Sequence, residues 1–336
     1  MNRLHYIYRY SISVTKSLTI QKLVNLVLLR VSFFLSWALK IHVIWGKPAF
    51  LSIEPTNMCN LQCPECPTGN KTSEVAKGKI SVETYTNIIS AVKKQLIFLN
   101  LYFQGEPFLH EKMPQLISIA QKAGITVSTS TNAHFIDSSN VDAIILSGLH
   151  KIIISLDGYD QKSYEIYRKK GSFDTVISAL ELLQAAKKRH ESKTPLIEVQ
   201  CLLFKHTENY MQEIKQIGKQ HGADIVVFKT AQFYSPENIA MLPTKKHSRY
   251  IHNKDANTLT YKRKLKNKCW RMWSSVVCAW NGDVVPCCFD KNHTYTYGNS
   301  NTEDFNDILQ SKKTRAFKTL VHSNRKRIPM CTNCSS

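Results

Sequence analysis

The chain has 336 residues, 43% of them hydrophobic, with only 12 Gly and 11 Pro, which excludes a disordered or low-complexity polypeptide and allows one large domain plus a small one. A formal net charge of +20 leaves a nucleic acid, an anionic membrane surface or a phosphate-bearing substrate open as partners. The Lys and Arg residues are scattered, with short clusters at 262–268 and 325–327 and no RNA- or DNA-recognition motif beside them, so a solvated basic surface accounts for the charge equally well.

The first element in chain order is a basic, apolar helical segment over residues 1–45. Its run 23–39 (LVNLVLLRVSFFLSWAL) is at the short end of a membrane span, and Arg30 in its middle is costly against lipid. Without a small-residue cleavage site it does not read as a removable signal peptide. Three arrangements remain: a helix packed on the protein's own domain, a helix lying on a membrane surface, and a span.

From residue 50 onward strand-like and helix-period segments alternate. Strands are expected at 50–53, 97–103, 126–131, 151–157, 196–204 and 224–229. Helices are expected between them, at 82–94, 113–122, 139–147, 173–189 and 209–221. This is an α/β pattern of parallel βα units, either a barrel or an open sheet, and such folds carry their chemistry at the C-terminal ends of the strands.

The ten cysteines are unevenly spread. Cys59, Cys63 and Cys66 lie together directly after the first strand, and Cys269, Cys278, Cys287, Cys288, Cys331 and Cys334 lie in the C-terminal part. Tight clusters in an enzyme-sized chain suit metal or cluster ligation rather than a disulfide framework, and they point to a reducing cytoplasm. Cys201 sits alone in a predicted strand and reads as a small buried hydrophobe. The spacing C-x3-C-x2-C can wrap three corners of a cubane and leave its fourth iron open, whereas structural zinc usually takes four ligands and no fourth follows nearby.

With these motifs the chain resembles the radical S-adenosylmethionine (SAM) superfamily over roughly residues 48–334. The resemblance implies a partial (β/α)6 TIM-like barrel. It further implies a SAM-binding [4Fe–4S] cluster on Cys59, Cys63 and Cys66, with SAM cleaved to methionine and a 5′-deoxyadenosyl radical that takes hydrogen from substrate. Downstream, Gly105-Glu106-Pro107 resembles the family's GGE motif, with Gln104 in place of the first Gly. Ser130-Thr131-Asn132 resembles its TNG-like turn, with Ala133 in place of Gly. Ser155-Leu156-Asp157-Gly158 resembles its SxDG segment, and Arg168 its arginine for the SAM carboxylate, a task suited to a guanidinium fork. The SAM-binding residues so implied are Gly105, Glu106, Ser130, Asn132, Ser155, Asp157 and Arg168. Taken singly, each could instead cap a loop, close a turn or be a surface charge.

The pattern C-x12-G-x4-C followed by CxxC resembles the auxiliary-cluster region called SPASM or twitch. It implies Cys269, Cys287, Cys331 and Cys334 as ligands of an auxiliary [4Fe–4S] cluster, with Asn281-Gly282 turning a hairpin that delivers Cys287. Zinc suits four such cysteines equally well by chemistry alone, and Cys288 could replace Cys287. A Cys288 that is spared from ligation, facing the barrel, could act as a catalytic base or hydrogen donor. Sulfatase maturases of this class have an aspartate in that slot, so the chain is not expected to be one.

The domain reading is 1–45 N-terminal segment, 46–235 radical SAM core, 236–268 linker and 269–336 SPASM/twitch-like domain. The function implied is hydrogen abstraction from a peptide or a sugar-like alcohol, with electron transfer out through the auxiliary cluster. A flavodoxin or ferredoxin is the expected reductant, and the expected location is cytoplasmic, with peripheral membrane contact through residues 1–45 left open. The alternatives are an RNA-modifying radical SAM enzyme, favoured by the charge, and a non-enzymatic metal-binding scaffold on membranes.

Overall fold

The computed structural model describes residues 3–40, 43–234, 236–253 and 255–334. Met1, Asn2, Ile41 and His42 of the expected N-terminal segment lie outside them. The chain divides into two compact units, each drawn from several stretches: residues 1–10, 59–72 and 129–264 form the first, and 11–58, 73–128 and 265–336 the second.

The N-terminal segment is two helices, α1 (Arg3–Lys16) and α2 (Ile20–Leu39), the second capped by Thr19. In the second unit, β1 (Phe50–Ile53), α3 (Val82–Val92), β2 (Phe98–Asn100), α4 (Met113–Lys122) and the start of β3 (Thr126–Thr131) follow. In the first unit come α5 (Val141–Leu146), β4 (Lys151–Ser155), α6 (Gln161–Tyr167), α7 (Phe173–Arg189), β5 (Leu196–Leu203), α8 (Met211–Gln220) and β6 (Ile225–Thr230). A hairpin of β7 (Tyr250–Asn253) and β8 (Thr258–Tyr261) occupies the stretch read as a linker. The C-terminal part of the second unit holds α9 (Trp270–Ser274), β9 (Ser275–Cys278), β10 (Asp283–Val285), β11 (Gly298–Asn299), α10 (Phe305–Gln310), α11 (Lys312–Asn324) and α12 (Pro329–Thr332).

Each expected strand forms at least in part, and in the first unit the apolar, β-branched residues of β4 and β5 fit a pleat buried on both sides: Ile152 and Ile154 on β4, and Leu196, Ile197 and Val199 on β5, are buried. In the first unit β4, β5 and β6 run parallel, with Lys151 opposite Leu196 and Glu198 opposite Ile225. In the second unit the strand order is β11-β10-β9-β1-β2-β3. There β1 is parallel to β2 on one side and to β9 on the other, with Phe50 opposite both Phe98 and Ser275. The expected hairpin forms between β9 and β10: Val284 pairs with Cys278, and Gly282 takes φ +86°, a conformation that favours glycine.

Helix α2 packs on the second unit, and its orientation is unusual. Its buried residues include Lys22, Asn25, Ser32 and Ser36, beside Leu29 and Phe33. Lys22 Nζ donates to the carbonyls of Ser17 and Gly124 at 2.9 and 2.7 Å. Asn25 exchanges two bonds with the backbone of Lys47, and Ser32 Oγ accepts from Trp273 Nε1 at 3.1 Å. Arg30 stacks 3.9 Å over the Trp270 ring. Arg30, the residue that counted against a lipid span, is thus partnered by protein, as are Lys22, Asn25 and Ser32.

Candidate active site

In the first unit the three N-terminal cysteines sit on an extended loop against an aromatic core. Leu61, Cys63, Tyr167, Phe204 and Phe233 pack as one buried cluster, with Cys59 and Cys66 at its margin. The loop folds this way because its backbone is tied at several points: Gln62 N–H donates to Lys169 O at 3.1 Å, Cys66 N–H to Cys63 O at 3.2 Å and Asn70 N–H to Cys66 O at 2.8 Å. Gly69 lies so close that a Cβ there would meet Cys63 N at 2.6 Å.

Polar side chains from successive strand ends reach these sulfurs. Asn132, just past β3, donates from Nδ2 to Asn60 Oδ1 at 2.8 Å and points the same nitrogen at Cys59 Sγ, 3.8 Å away. Asp157, just past β4, is fully buried and accepts from Arg168 Nε and from the Leu202 N–H, each at 2.5 Å. Arg168 Nη1 points at Cys63 Sγ at 3.8 Å. Burial pushes the Cys63 thiol up, and the Arg168 charge opposes that rise. Asp157 and Arg168, read from sequence as separate SAM contacts, are one ion pair. Ser130 is the penultimate residue of β3 and Ser155 the last of β4. Ala133, in the slot where glycine was expected, is buried with φ +69°.

In the second unit Gly105 takes φ +70°, and a Cβ on it would lie 2.5 Å from Thr56 O and 2.6 Å from Met58 O. That close approach lets Glu106 N–H donate to Met58 O at 2.7 Å, one residue before Cys59 in the chain. The Glu106 carboxylate accepts from Phe108 N–H at 3.1 Å, capping a single turn at Pro107–Leu109. A residue given no role in the sequence reading organises this corner. Glu54, buried at the end of β1, accepts from the N–H groups of Gln104 (3.1 Å) and Trp280 (3.3 Å). Burial pushes its carboxyl up to about 7 despite those donors. A lone Glu after an apolar strand was the available signal. Gln104 itself donates from Nε2 to Lys291 O at 2.9 Å, a side-chain contact that a glycine could not make.

The C-terminal cysteines converge within the second unit. Cys269, Cys287, Cys331 and Cys334 border one small hollow, otherwise lined mainly by apolar side chains such as Met272 and Phe317. Arg325 Nη2 points at Cys334 Sγ at 3.4 Å and its Nη1 donates to Lys268 O at 2.8 Å. Burial pushes the Cys287 thiol up, with the Cys288 sulfur adding to it, and burial likewise raises Cys331 against the opposing charge of Arg325. Four cysteine side chains around a largely apolar space, with a buried guanidinium beside them, fit an anionic thiolate cluster. Among the described residues no three His, Cys, Asp or Glu side chains close on a single metal ion.

A second cavity of about 400 Å³ lies over β1, β2 and β9 of the same unit, bordered by Ser52, Asn100, Tyr102, Arg271 and both Cys287 and Cys288. Cys287 therefore borders both spaces, while Cys288 borders only the larger one and accepts from Arg271 Nη1 at 3.2 Å. Cys278 is fully buried on β9 and Cys201 on β5, and neither borders either space.

Known proteins resemble this chain in sequence and in fold. A family model described as the radical SAM superfamily matches residues 53–218, and one described as an iron–sulfur cluster-binding domain (SPASM) matches residues 269–335. The tungsten-containing aldehyde ferredoxin oxidoreductase cofactor-modifying protein of Pyrococcus furiosus is 23% identical over 315 residues, 85% of this chain and 87% of that protein. The antilisterial bacteriocin subtilosin biosynthesis protein AlbA of Bacillus subtilis is 22% identical over 280 residues, 79% of this chain and 60% of AlbA. In structure, Streptococcus suis SuiB bound to S-adenosylmethionine matches with a TM-score of 0.62 at 15% identity, covering 88% of this chain and 74% of SuiB. The chain therefore belongs to the radical SAM superfamily, as a partial (β/α)6 TIM-like barrel followed by a C-terminal SPASM domain, with a SAM-binding [4Fe–4S] cluster and auxiliary iron–sulfur binding as its cofactors.

Proposed function

We propose that this enzyme abstracts hydrogen from a peptide substrate and passes an electron out through one auxiliary [4Fe–4S] cluster. Bound at Cys59, Cys63 and Cys66, the first cluster would supply the electron that cleaves SAM to methionine and a 5′-deoxyadenosyl radical. The chemistry so supplied would be removal of one hydrogen atom from substrate, with 5′-deoxyadenosine as the by-product. In this reading the Asp157–Arg168 pair holds positive charge beside Cys63 and Asn132 orients the Cys59 loop, while Gly105 and Glu106 are assigned to the SAM amino group on their motif's resemblance alone. Ser130 and Ser155 contribute polar groups at the same strand ends.

The observation that carries the electron path is the double position of Cys287, which borders both the auxiliary hollow and the larger cavity. Cys269, Cys287, Cys331 and Cys334 would fill the auxiliary cluster's four iron positions, so it conducts electrons and braces the domain without binding substrate. Cys288, on the cavity side, is left as the candidate base or hydrogen donor. Of the peptide and sugar-like alcohol classes, the peptide class is supported by SuiB, which has been solved bound to its precursor peptide SuiA, and by the bacteriocin role in AlbA's name. A flavodoxin- or ferredoxin-type donor would supply the first electron.

The test is anaerobic reconstitution followed by iron counts, SAM cleavage and paramagnetic resonance. Replacing Cys59, Cys63 and Cys66 together by Ala should remove about four irons and all 5′-deoxyadenosine formation while sparing the second signal. Cys287→Ala should lose the second signal, and Cys288→Ala should keep both. Continued 5′-deoxyadenosine formation in the triple variant, or loss of the second signal only in Cys288→Ala, would sink the assignment.

A further inference from the structure

Helix α2 faces outward with its apolar side. While Lys22 and Ser32 are 2% and 0% exposed, Ile20, Val27 and Phe34 are 81%, 61% and 53% exposed. Leu23, Val24, Val31, Trp37 and Leu39 extend this outward face along the helix. A soluble helix places such residues inward, because burying each gains about 1.5–3 kcal/mol. Here the inward side is specified by polar groups with dedicated partners, so the helix cannot roll over without stranding Lys22, Asn25 and Ser32 away from them. The apolar face is thus a fixed feature of the surface, and a contiguous patch of this kind marks an interaction site.

The charge around it selects the occupant. Residues 1–53 contain seven Lys and Arg and no Asp or Glu, the first acidic residue being Glu54. Exposed Lys16 and Lys40 bracket α2, and Lys268 Nζ sits 4.7 Å over the exposed Trp37 ring. Apolar residues on one side, cations at the rim and an interfacial tryptophan are the features of a helix lying in the headgroup layer of an anionic bilayer. A span is incompatible with the partners of Lys22, Asn25 and Ser32, which hold the helix along its length on the protein.

We infer that α2 is a peripheral docking surface for an anionic lipid bilayer, entered with the helix parallel to the membrane plane. The experiment is flotation of the full chain with vesicles of phosphatidylcholine alone and of phosphatidylcholine with phosphatidylglycerol, at low and high salt. The wild type should float with the anionic vesicles, less at high salt, and Val27→Glu with Phe34→Glu should weaken this at least about tenfold without changing the circular dichroism melt. In parallel, brominated lipid should quench the wild-type tryptophan fluorescence, and Trp37→Phe should remove much of that quenching; this readout stands even if the double variant misfolds. Failure of the wild type to float, flotation unaffected in a folded double variant, or quenching that is unchanged in Trp37→Phe overturns the inference. So does a wild type that is dimeric without lipid and becomes monomeric in the double variant, which would make the face a contact between copies.

Discussion

The carboxylate of Asp157 lies 2.5 Å from Nε of Arg168, and the guanidinium so held points its Nη1 at Cys63. Asp157 is fully buried, so the pair cannot be broken cheaply from the carboxylate side. Asp157→Asn should cost about 3 kcal/mol in denaturant unfolding, because a largely buried cation loses its counter-charge. Arg168→Lys keeps the charge but loses the fork, so it should weaken SAM binding with little change in melting temperature. An Asp157→Asn protein as stable as the wild type would mean that the pair does not hold this corner together.

Ala133 is held at φ +69° by two short-range bonds: its N–H donates to Thr131 Oγ1 at 2.9 Å, and the His134 N–H donates to Asn132 Oδ1 at 3.1 Å. A non-glycine residue in that region carries roughly 1–2 kcal/mol of backbone strain. Ala133→Gly should stabilise the protein by about 0.5–1 kcal/mol after the added freedom of glycine in the unfolded chain is subtracted. Equal or lower stability in urea would show that the buried methyl contributes more than the strain.

Glu54 gives a pH dependence of definite sign. Burial moves its carboxyl from an ordinary 4.5 up to about 7, so the folded chain binds more protons than the unfolded one between those values. The contribution is complete below about pH 4.5 and is lost as pH rises through 7, with a magnitude of about 3 kcal/mol. Glu54→Gln should flatten that part of the stability profile while keeping an acceptor for the N–H groups of Gln104 and Trp280. A wild type and a variant with parallel pH profiles would exclude the mechanism.

Phe33, on the buried side of α2, meets Trp270, Trp273 and His322 edge-on with centroid distances of 5.5, 5.8 and 6.0 Å. Phe33→Ala should cost about 3–5 kcal/mol in chemical denaturation, whereas Val27→Ala on the outward side should stay within about 0.5 kcal/mol. Equal effects would mean that the helix is not packed on this face.

Most of the barrel was legible because each βα unit is written locally. The helices at 113–122 and 173–189 form with the bounds expected from their apolar period. Helix α6 was not anticipated, although its signal is present: Asp160 accepts from Ser163 N–H at 2.7 Å in a capping box. The inward polar side of α2 was also readable, since 22, 25, 29, 32 and 36 follow a helical spacing, but apolar content dominated the reading. The parallel pairing of β9 with β1 was not readable, because register between strands far apart in sequence leaves no local mark. Glu54 was missed for a related reason: its donors come from residues 104 and 280.

That pairing of β9 with β1 bears on modularity. The SPASM match begins at residue 269, yet β9 supplies the backbone partners along all four residues of β1, the first strand of the radical SAM match's neighbourhood. Cutting the gene before residue 265 would not detach an appendage; it would leave β1 with a bare, apolar edge open to aberrant strand pairing. A replacement C-terminal part grafted onto this chain would have to bring its own parallel strand in the same register, together with any cysteines it carries.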